Sequence, residues 1–172
     1  DSDEIWIKDK LKIQLSLYNK KFPIVYGGYQ IIDSNNNKSE IYSLKGPTGY
    51  ITSELLKRNF ISIGSILISS SLIKEYKFDP YYELLGDYEL WVRLSLKNKF
   101  ISANTILEYS RQHENNISKK KVSLMTIERR KFYRNLFKML NYQKYLKILL
   151  LAFKYEIKGL IYFFKNLEIH LN

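Results

Sequence analysis

Two carboxylates one residue apart, Asp1 and Asp3 of DSDEIWIKDKLKIQ, are the first pair in the chain whose types and spacing could do chemistry. In an extended segment alternate side chains point the same way, so both can face one site. Hard oxygen donors at that spacing suit Mg²⁺ or Mn²⁺ bridged to substrate phosphates, because such ions keep part of their shell for substrate oxygens. A calcium loop does not fit: its sixth position holds Trp6 instead of Gly and its twelfth Lys12 instead of Glu. An acidic loop or a helix cap is the other reading of the pair. A further carboxylate, Asp87 of LLGDYELW, falls at a predicted helix N-terminus, where unpaired N–H groups and the helix dipole favour the ionised form that a base must have. Capping that helix is its other reading. The imidazoles are His113 and His170, and the absence of cysteine excludes disulfides, thiolate nucleophiles and thiolate zinc sites.

The elements that must position these residues follow from the hydrophobic pattern. Leu11, Leu15 and Tyr18 stand at helical spacing, with Asp9 placed to cap and Pro23 beyond the end. PIVYGGYQIID reads as a β-branched and aromatic strand closed by the polar turn SNNNKS. ITSELLKRN reads as a short helix capped by Thr48 or Thr52, GSILISSS as a second buried strand leading into SLIKEYK, and FDPYYELLG as a loop holding Pro80. DYELWVRLSLKN is the clearest helix, with Leu90, Trp91 and Leu94 on one face, and KFISANTILEYSRQH returns as an extended segment. From Ser118 onward the pattern is helical, in two pieces broken near Asn141. Trp6 and Trp91 each read as core; Trp91, one turn after Asp87, also reads as the floor of an acceptor sugar site. Helices alternating with strands through residue 118 predict an α/β layer around a mostly parallel sheet, in one domain with an appendage.

Taken in order, DSDEIWIKDKLKIQ, VYGGYQIID, FDPYYELLGDYELWVRLSLKNKF and LEYSRQHENNIS resemble the second half of the family-2 glycosyltransferases, enzymes with the GT-A fold. The resemblance covers about residues 1 to 118. It implies an α/β partial GT-A domain over 1–118, a mixed sheet with flanking helices, whose nucleotide-binding half precedes Asp1 and without which the chain should not turn over. It also implies inverting transfer of a sugar from a nucleotide-diphospho-sugar donor to the hydroxyl of a glycan or lipid-linked acceptor, in cell-surface polysaccharide assembly at the cytoplasmic face of a bacterial membrane.

By position, Asp1 matches the family's acidic residue near the donor ribose and diphosphate, and Asp3 matches its metal-binding member. Glu4 fills the place where the family more often has a second Asp. Asp87 matches the base that takes a proton from the acceptor hydroxyl, with Gly86 where the family often has Glu. SRQHENNIS matches the Arg-x-His loop over the donor phosphates. Arg111 would pair with the diphosphate through its planar fork, and His113 would ligate the divalent metal, Mn²⁺ or Mg²⁺, or donate to phosphate. FDPYYELLG is then the loop where acceptor contacts lie.

Charge divides the chain. Residues 1 to 118 carry 15 Lys+Arg against 14 Asp+Glu, and residues 119 to 172 carry 13 against 3. Whatever the positive charge attracts, it attracts to the last third. Within it Lys144, Lys147, Lys154, Lys158 and Lys165 share a stripe beside Leu146, Leu150, Phe153 and Ile157, a basic amphipathic helix. Two readings stand open: the helix lies on an anionic membrane surface, or its apolar side packs on protein. No groove-reading motif accompanies the charge, so nucleic acid is not expected as a partner. The rival to an enzyme is a non-catalytic adaptor, acting at a membrane surface or on nucleic acid through the basic 119–172 segment.

Overall fold

The β-branched and aromatic run after Pro23 suits a buried, pleated surface, and it forms the central strand of the protein. A computed structural model of the chain describes residues 4–111 and 122–139, together with residues 146 and 150. In chain order its elements are β1 (Ile5–Trp6), α1 (Lys10–Leu17), β2 (Ile24–Ile32), β3 (Lys38–Tyr42), α2 (Thr52–Lys57), a 3-10 turn (Ile63–Ser65), β4 (Ile66–Ile68), α3 (Ser70–Tyr76), α4 (Gly86–Ser95), β5 (Phe100–Arg111) and α5 (Val122–Met139).

The fold is α/β, a mixed sheet flanked by helices, with strand order β1-β5-β2-β3 and β4 also on β2. Among the described strands only β2 and β5 pair in parallel; β1 with β5, β2 with β3 and β2 with β4 are antiparallel. The expectation of a mostly parallel sheet is therefore corrected. The reason is local: the SNNNKS turn sends β3 straight back along β2, a connection that a parallel pair cannot use.

One edge of β2 is shared between two short strands. β4 pairs with its first residues, from Ile24↔Ile68 to Tyr26↔Ile66, and β3 with its last, from Tyr29↔Tyr42 to Ile32↔Lys38. The changeover falls at Gly27 and Gly28. A Cβ on Gly28 would come 2.9 Å from the Tyr42 carbonyl oxygen, so a bare Cα lets the chain leaving β3 pass close by. Opposite, the β2–β5 register shifts on either side of Gly28, and Asn104 in β5 takes a left-handed φ of 52°. Such a bulge re-aims the side chains beyond it, and Glu108 lies there.

The core fills the side of the sheet where α2, α4 and α5 pack. Leu55, Leu90, Trp91, Leu94, Phe100, Phe132 and Leu136 are all buried in one cluster with Ile24 and Tyr26. Each such side chain contributes roughly 1.5–3 kcal/mol on leaving water. Since Phe132 and Leu136 belong to α5, this first basic helix after residue 118 is packed onto the sheet-bearing part of the chain.

Five local expectations are corrected. In α1 the residues that predict a helix, Leu11, Leu15 and Tyr18, are exposed, and the buried pair is Lys10 and Gln14. Asp9 stands at the cap position, but its side chain makes no cap bond. Trp6 is 55% exposed instead of core. Neither threonine caps α2: Thr52 donates through Oγ1 to the Ser95 carbonyl at 2.9 Å, and Thr48 Oγ1 accepts from the Ser102 N–H at 3.2 Å. Finally, GSILISSS is no single buried strand. It divides into the 3-10 turn, the half-buried β4, and Ser69, which caps α3 by accepting the Leu72 N–H.

Candidate functional site

Glu4, the last residue of the DSDE stretch, and Asp87 line one cavity of about 380 Å³. Sequence separates them by more than eighty positions; the fold joins them because β1 pairs with β5 and β5 with β2, whose Tyr29 and Ile31 line the same cavity as Asp87. Asn59, Ser110, Tyr29 and Tyr42 share the wall, the two tyrosine rings stacked at 5.1 Å. Polar groups thus converge where β4 gives way to β3, the place left open by the divided edge of β2.

Asp87 sits in the first turn of α4, whose first residue is Gly86, one earlier than the pattern suggests. Its Oδ1 accepts the Tyr88 N–H at 2.6 Å, so part of the carboxyl is turned to the helix start. Burial pushes its pKa above the usual carboxylate range. Hydrogen bonds from the Tyr88 amide, its own amide and the Asn59 side chain oppose the shift, and the Glu4 charge adds to it. A half-buried carboxylate held in this way is a stronger proton acceptor than one in water.

Behind Glu4 lies a second carboxyl, Glu108 of β5, fully buried. Burial, then the neighbouring Glu4, push its pKa up to about 8, against Ser62 and Lys10. Burial and the adjacent Glu4 thus both favour its protonated form. Gly64 makes the meeting possible: a Cβ there would stand 2.8 Å from Glu4 Oε2 and closer still to Glu108 Oε1. Ser110 Oγ donates to Glu4 Oε1 from the other side, at 3.3 Å.

Beneath the two carboxyls Lys10 is buried, its pKa lowered by desolvation against the raising effect of Glu108. Its Nζ donates to Gln14 Oε1 at 2.7 Å and to the Ile66 carbonyl at 3.5 Å, and it lies 4.2 Å from the centroid of the Trp6 ring. Gln14 in turn donates to the Val25 and Ser65 carbonyls, both at 3.1 Å. This network accounts for the inverted burial of α1. Buried carbonyls and a buried acid need donors, and the polar face supplies them, while Trp6 covers the ammonium from outside.

Arg111, at the end of β5, engages the β2–β3 turn. Nη1 donates to the Asp33 carbonyl at 2.7 Å and the Ser34 carbonyl at 3.4 Å, and Nη2 to Asn36 Oδ1 at 2.8 Å. The structure brings its neighbour Ser110 to the cavity wall, but not Arg111 itself. Asp1, Asp3 and His113 lie outside the described residues, as does the stripe from Lys144 to Lys165 apart from Leu146 and Leu150. Among the described residues no three His, Cys, Asp or Glu side chains form a metal-binding group, and no helix is long and apolar enough to cross a membrane. Trp91 is 1% exposed, edge-on to Phe78, which makes it core and not a sugar floor.

Sequence reasoning missed Asn59, Glu108 and Glu128. The last is fully buried and accepts the backbone N–H groups of Glu83, Leu84 and Leu85 at 2.7, 3.0 and 2.9 Å. An acid inside an apolar strand, ILEYS, and one on the face that carries Phe132 and Leu136 four and eight residues on, were the available signals.

No family model matches the chain. It is 34% identical over 104 residues to the UDP-Glc:alpha-D-GlcNAc-diphosphoundecaprenol beta-1,3-glucosyltransferase WfgD of Escherichia coli, an alignment that takes in 60% of this chain and 39% of that protein. It is 29% identical over 128 residues to an uncharacterized glycosyltransferase of Rickettsia bellii (strain RML369-C), covering 69% of this chain and 18% of that protein. The chain therefore spans less than half the length of either curated relative, and what it is similar to, in both cases, is a glycosyltransferase.

Proposed function

We propose that this chain carries the acceptor side of a family-2-like, GT-A glycosyltransferase site, which moves a sugar from a nucleotide-diphosphate donor to an acceptor hydroxyl with inversion. The observation that carries the reading is the shared cavity of Glu4 and Asp87, which joins the end of DSDE to the start of α4. Similarity to two glycosyltransferases supports it. The acceptor is a glycan or lipid-linked glycan, as the name of the Escherichia coli relative indicates for that protein. An anionic membrane surface is the second partner, met by the basic 119–172 segment at the cytoplasmic face.

In the reaction the acceptor oxygen attacks the anomeric carbon as the bond to the diphosphate breaks, and Asp87 takes the hydroxyl proton. Its raised proton affinity suits that transfer, which in general contributes about 10²–10⁴-fold to rate. Glu4, steadied by Ser110 and Glu108, sets a negative wall beside Asp87. A carboxylate oxygen and an imidazole nitrogen can both ligate a divalent cation, so Asp3 and His113 would hold Mn²⁺ or Mg²⁺, with Asp1 at the donor ribose. Such an ion supplies neutralisation of the leaving diphosphate. For Arg111 to reach the diphosphate its fork would exchange neutral turn acceptors for charged phosphate oxygens, an exchange that charge-assisted bonding favours.

The test uses the full-length protein with UDP-glucose, Mn²⁺ and a synthetic GlcNAc-diphosphoryl lipid, followed by a panel of other nucleotide sugars. A β-linked product from the α-linked donor is expected. Asp87→Asn should lower transfer by about 10²–10⁴-fold while nucleotide binding persists. Undiminished transfer by Asp87→Asn removes the base assignment, and no transfer from any donor removes the reading.

A further inference from the structure

Three consecutive backbone N–H groups, of Glu83, Leu84 and Leu85, converge on one carboxylate, and that carboxylate comes from α5, more than forty residues further along the chain. Successive amides turned to one side form a concavity suited to an anion. Glu128 fills it from a position without solvent exposure. Leu85 is the cap residue of α4, and Asp87 follows two residues later, so the side chain that fixes these amides also fixes where the helix begins. The same helix holds the rest of the loop: Lys131 Nζ lies 3.0 Å from the centroid of the Tyr81 ring, and Asn135 Nδ2 donates to the Tyr82 hydroxyl at 3.4 Å. Phe132 and Leu136, one and two turns beyond Glu128, anchor the helix in the core.

We infer that Glu128 is the positioning residue for Asp87 and its acceptor loop, so that α5 is a working part of the site. The inference rests on the reading of Asp87 as the base. Glu128, without solvent exposure, acts by holding residues 83–85 in the conformation that presents Asp87 to the cavity. A glutamine there keeps the size but accepts with a single oxygen, and its amide group meets N–H groups head-on.

The test compares Glu128→Gln with Leu136→Val, which loosens the same helix without touching the loop, and with Asp87→Asn. All are measured in the full-length protein with UDP-glucose, Mn²⁺ and the GlcNAc-diphosphoryl lipid. In Glu128→Gln kcat should fall by up to about 100-fold, as a base misplaced by an ångström can lose, and the acceptor KM should rise. The UDP-glucose KM should stay within about twofold, and amide exchange should quicken at 83–85 and not within α4. Leu136→Val should lose thermal stability but keep its turnover. Equal turnover losses in Leu136→Val and Glu128→Gln, or a Glu128→Gln protein that turns over like the wild type, overturn the inference. So does a Glu128→Gln protein that fails to fold, because the role assigned is in turnover. Transfer retained by Asp87→Asn instead overturns the base reading, and amide exchange at 83–85 then still decides whether Glu128 holds the loop.

Discussion

At the scale of single residues two carboxyls, Asp87 and Glu108, have proton affinities raised first by burial and then by the neighbouring Glu4. If Asp87 is the base, activity needs its ionised form, so the acid limb of kcat/KM should lie above the ordinary carboxylate value of about 4. Glu4→Gln removes a neighbouring negative charge and should move that limb to lower pH; a pH–rate profile on both proteins checks this, and an unmoved limb argues against their coupling. Glu108 bears on stability instead. Its pKa is about 8 in the fold against about 4.5 in the unfolded chain, so between these values the folded state binds the extra proton. Stability is then greatest below about pH 4.5 as far as this group is concerned, and is lost as pH rises toward 8. Glu108→Gln cannot ionise yet still donates to Glu4, so its melting temperature should fall much less between pH 5 and pH 8 in metal-free buffer. An unchanged slope would mean that the proton resides elsewhere. The place of Asp87 at a helix start was legible in the sequence, because the run after it carries a clear helical face. Glu108 was not, because its character comes from Glu4, Ser62 and Lys10, which the sequence scatters over more than a hundred positions.

At the scale of elements, packing decides what periodicity leaves open. Phe132 is 3% exposed in the shared core and lies 5.0 Å from the Tyr88 ring, so α5 and α4 are joined through it. Phe132→Ala should cost about 3–5 kcal/mol, read by urea unfolding, and the loss should appear in one cooperative transition with the sheet. An early separate transition would make α5 an independent appendage. β2, α4, β5 and α5 were all legible, since a β-branched run, a Leu90–Trp91–Leu94 face, an extended apolar segment and a long helical pattern each put residues into the core. β3 was missed: KSEIY is an exposed edge strand, created by the turn before it and not by its own hydrophobicity. The burial of α1 was inverted for a related reason. Its apolar spacing is real, but the side of the helix that meets the sheet is the polar one, where Lys10 and Gln14 donate to the carbonyls of Val25, Ser65 and Ile66.

At the scale of the whole molecule, α5 has two faces of different character. Glu128, Phe132 and Leu136, four residues apart, face inward; Arg130, Arg134 and Lys138, offset from them by two positions, lie exposed on the opposite side. The cationic stripe therefore points away from the domain, while the inner face holds the loop that precedes Asp87. An acceptor carried by a lipid would have to be met at an anionic surface, and this stripe adds to the strongly positive balance of residues 119 to 172. Each Lys or Arg near such a surface contributes about 1 kcal/mol, so replacing Arg130, Arg134 and Lys138 together by Gln should weaken binding to phosphatidylglycerol vesicles by roughly 100-fold. Co-sedimentation should also decline with added salt, because the attraction is screened within about 10 Å at 0.1 M. Equal pelleting with neutral phosphatidylcholine vesicles, or a triple variant that binds like the wild type, would leave the stripe as a solvated face and remove the membrane from the account of how this site meets its acceptor.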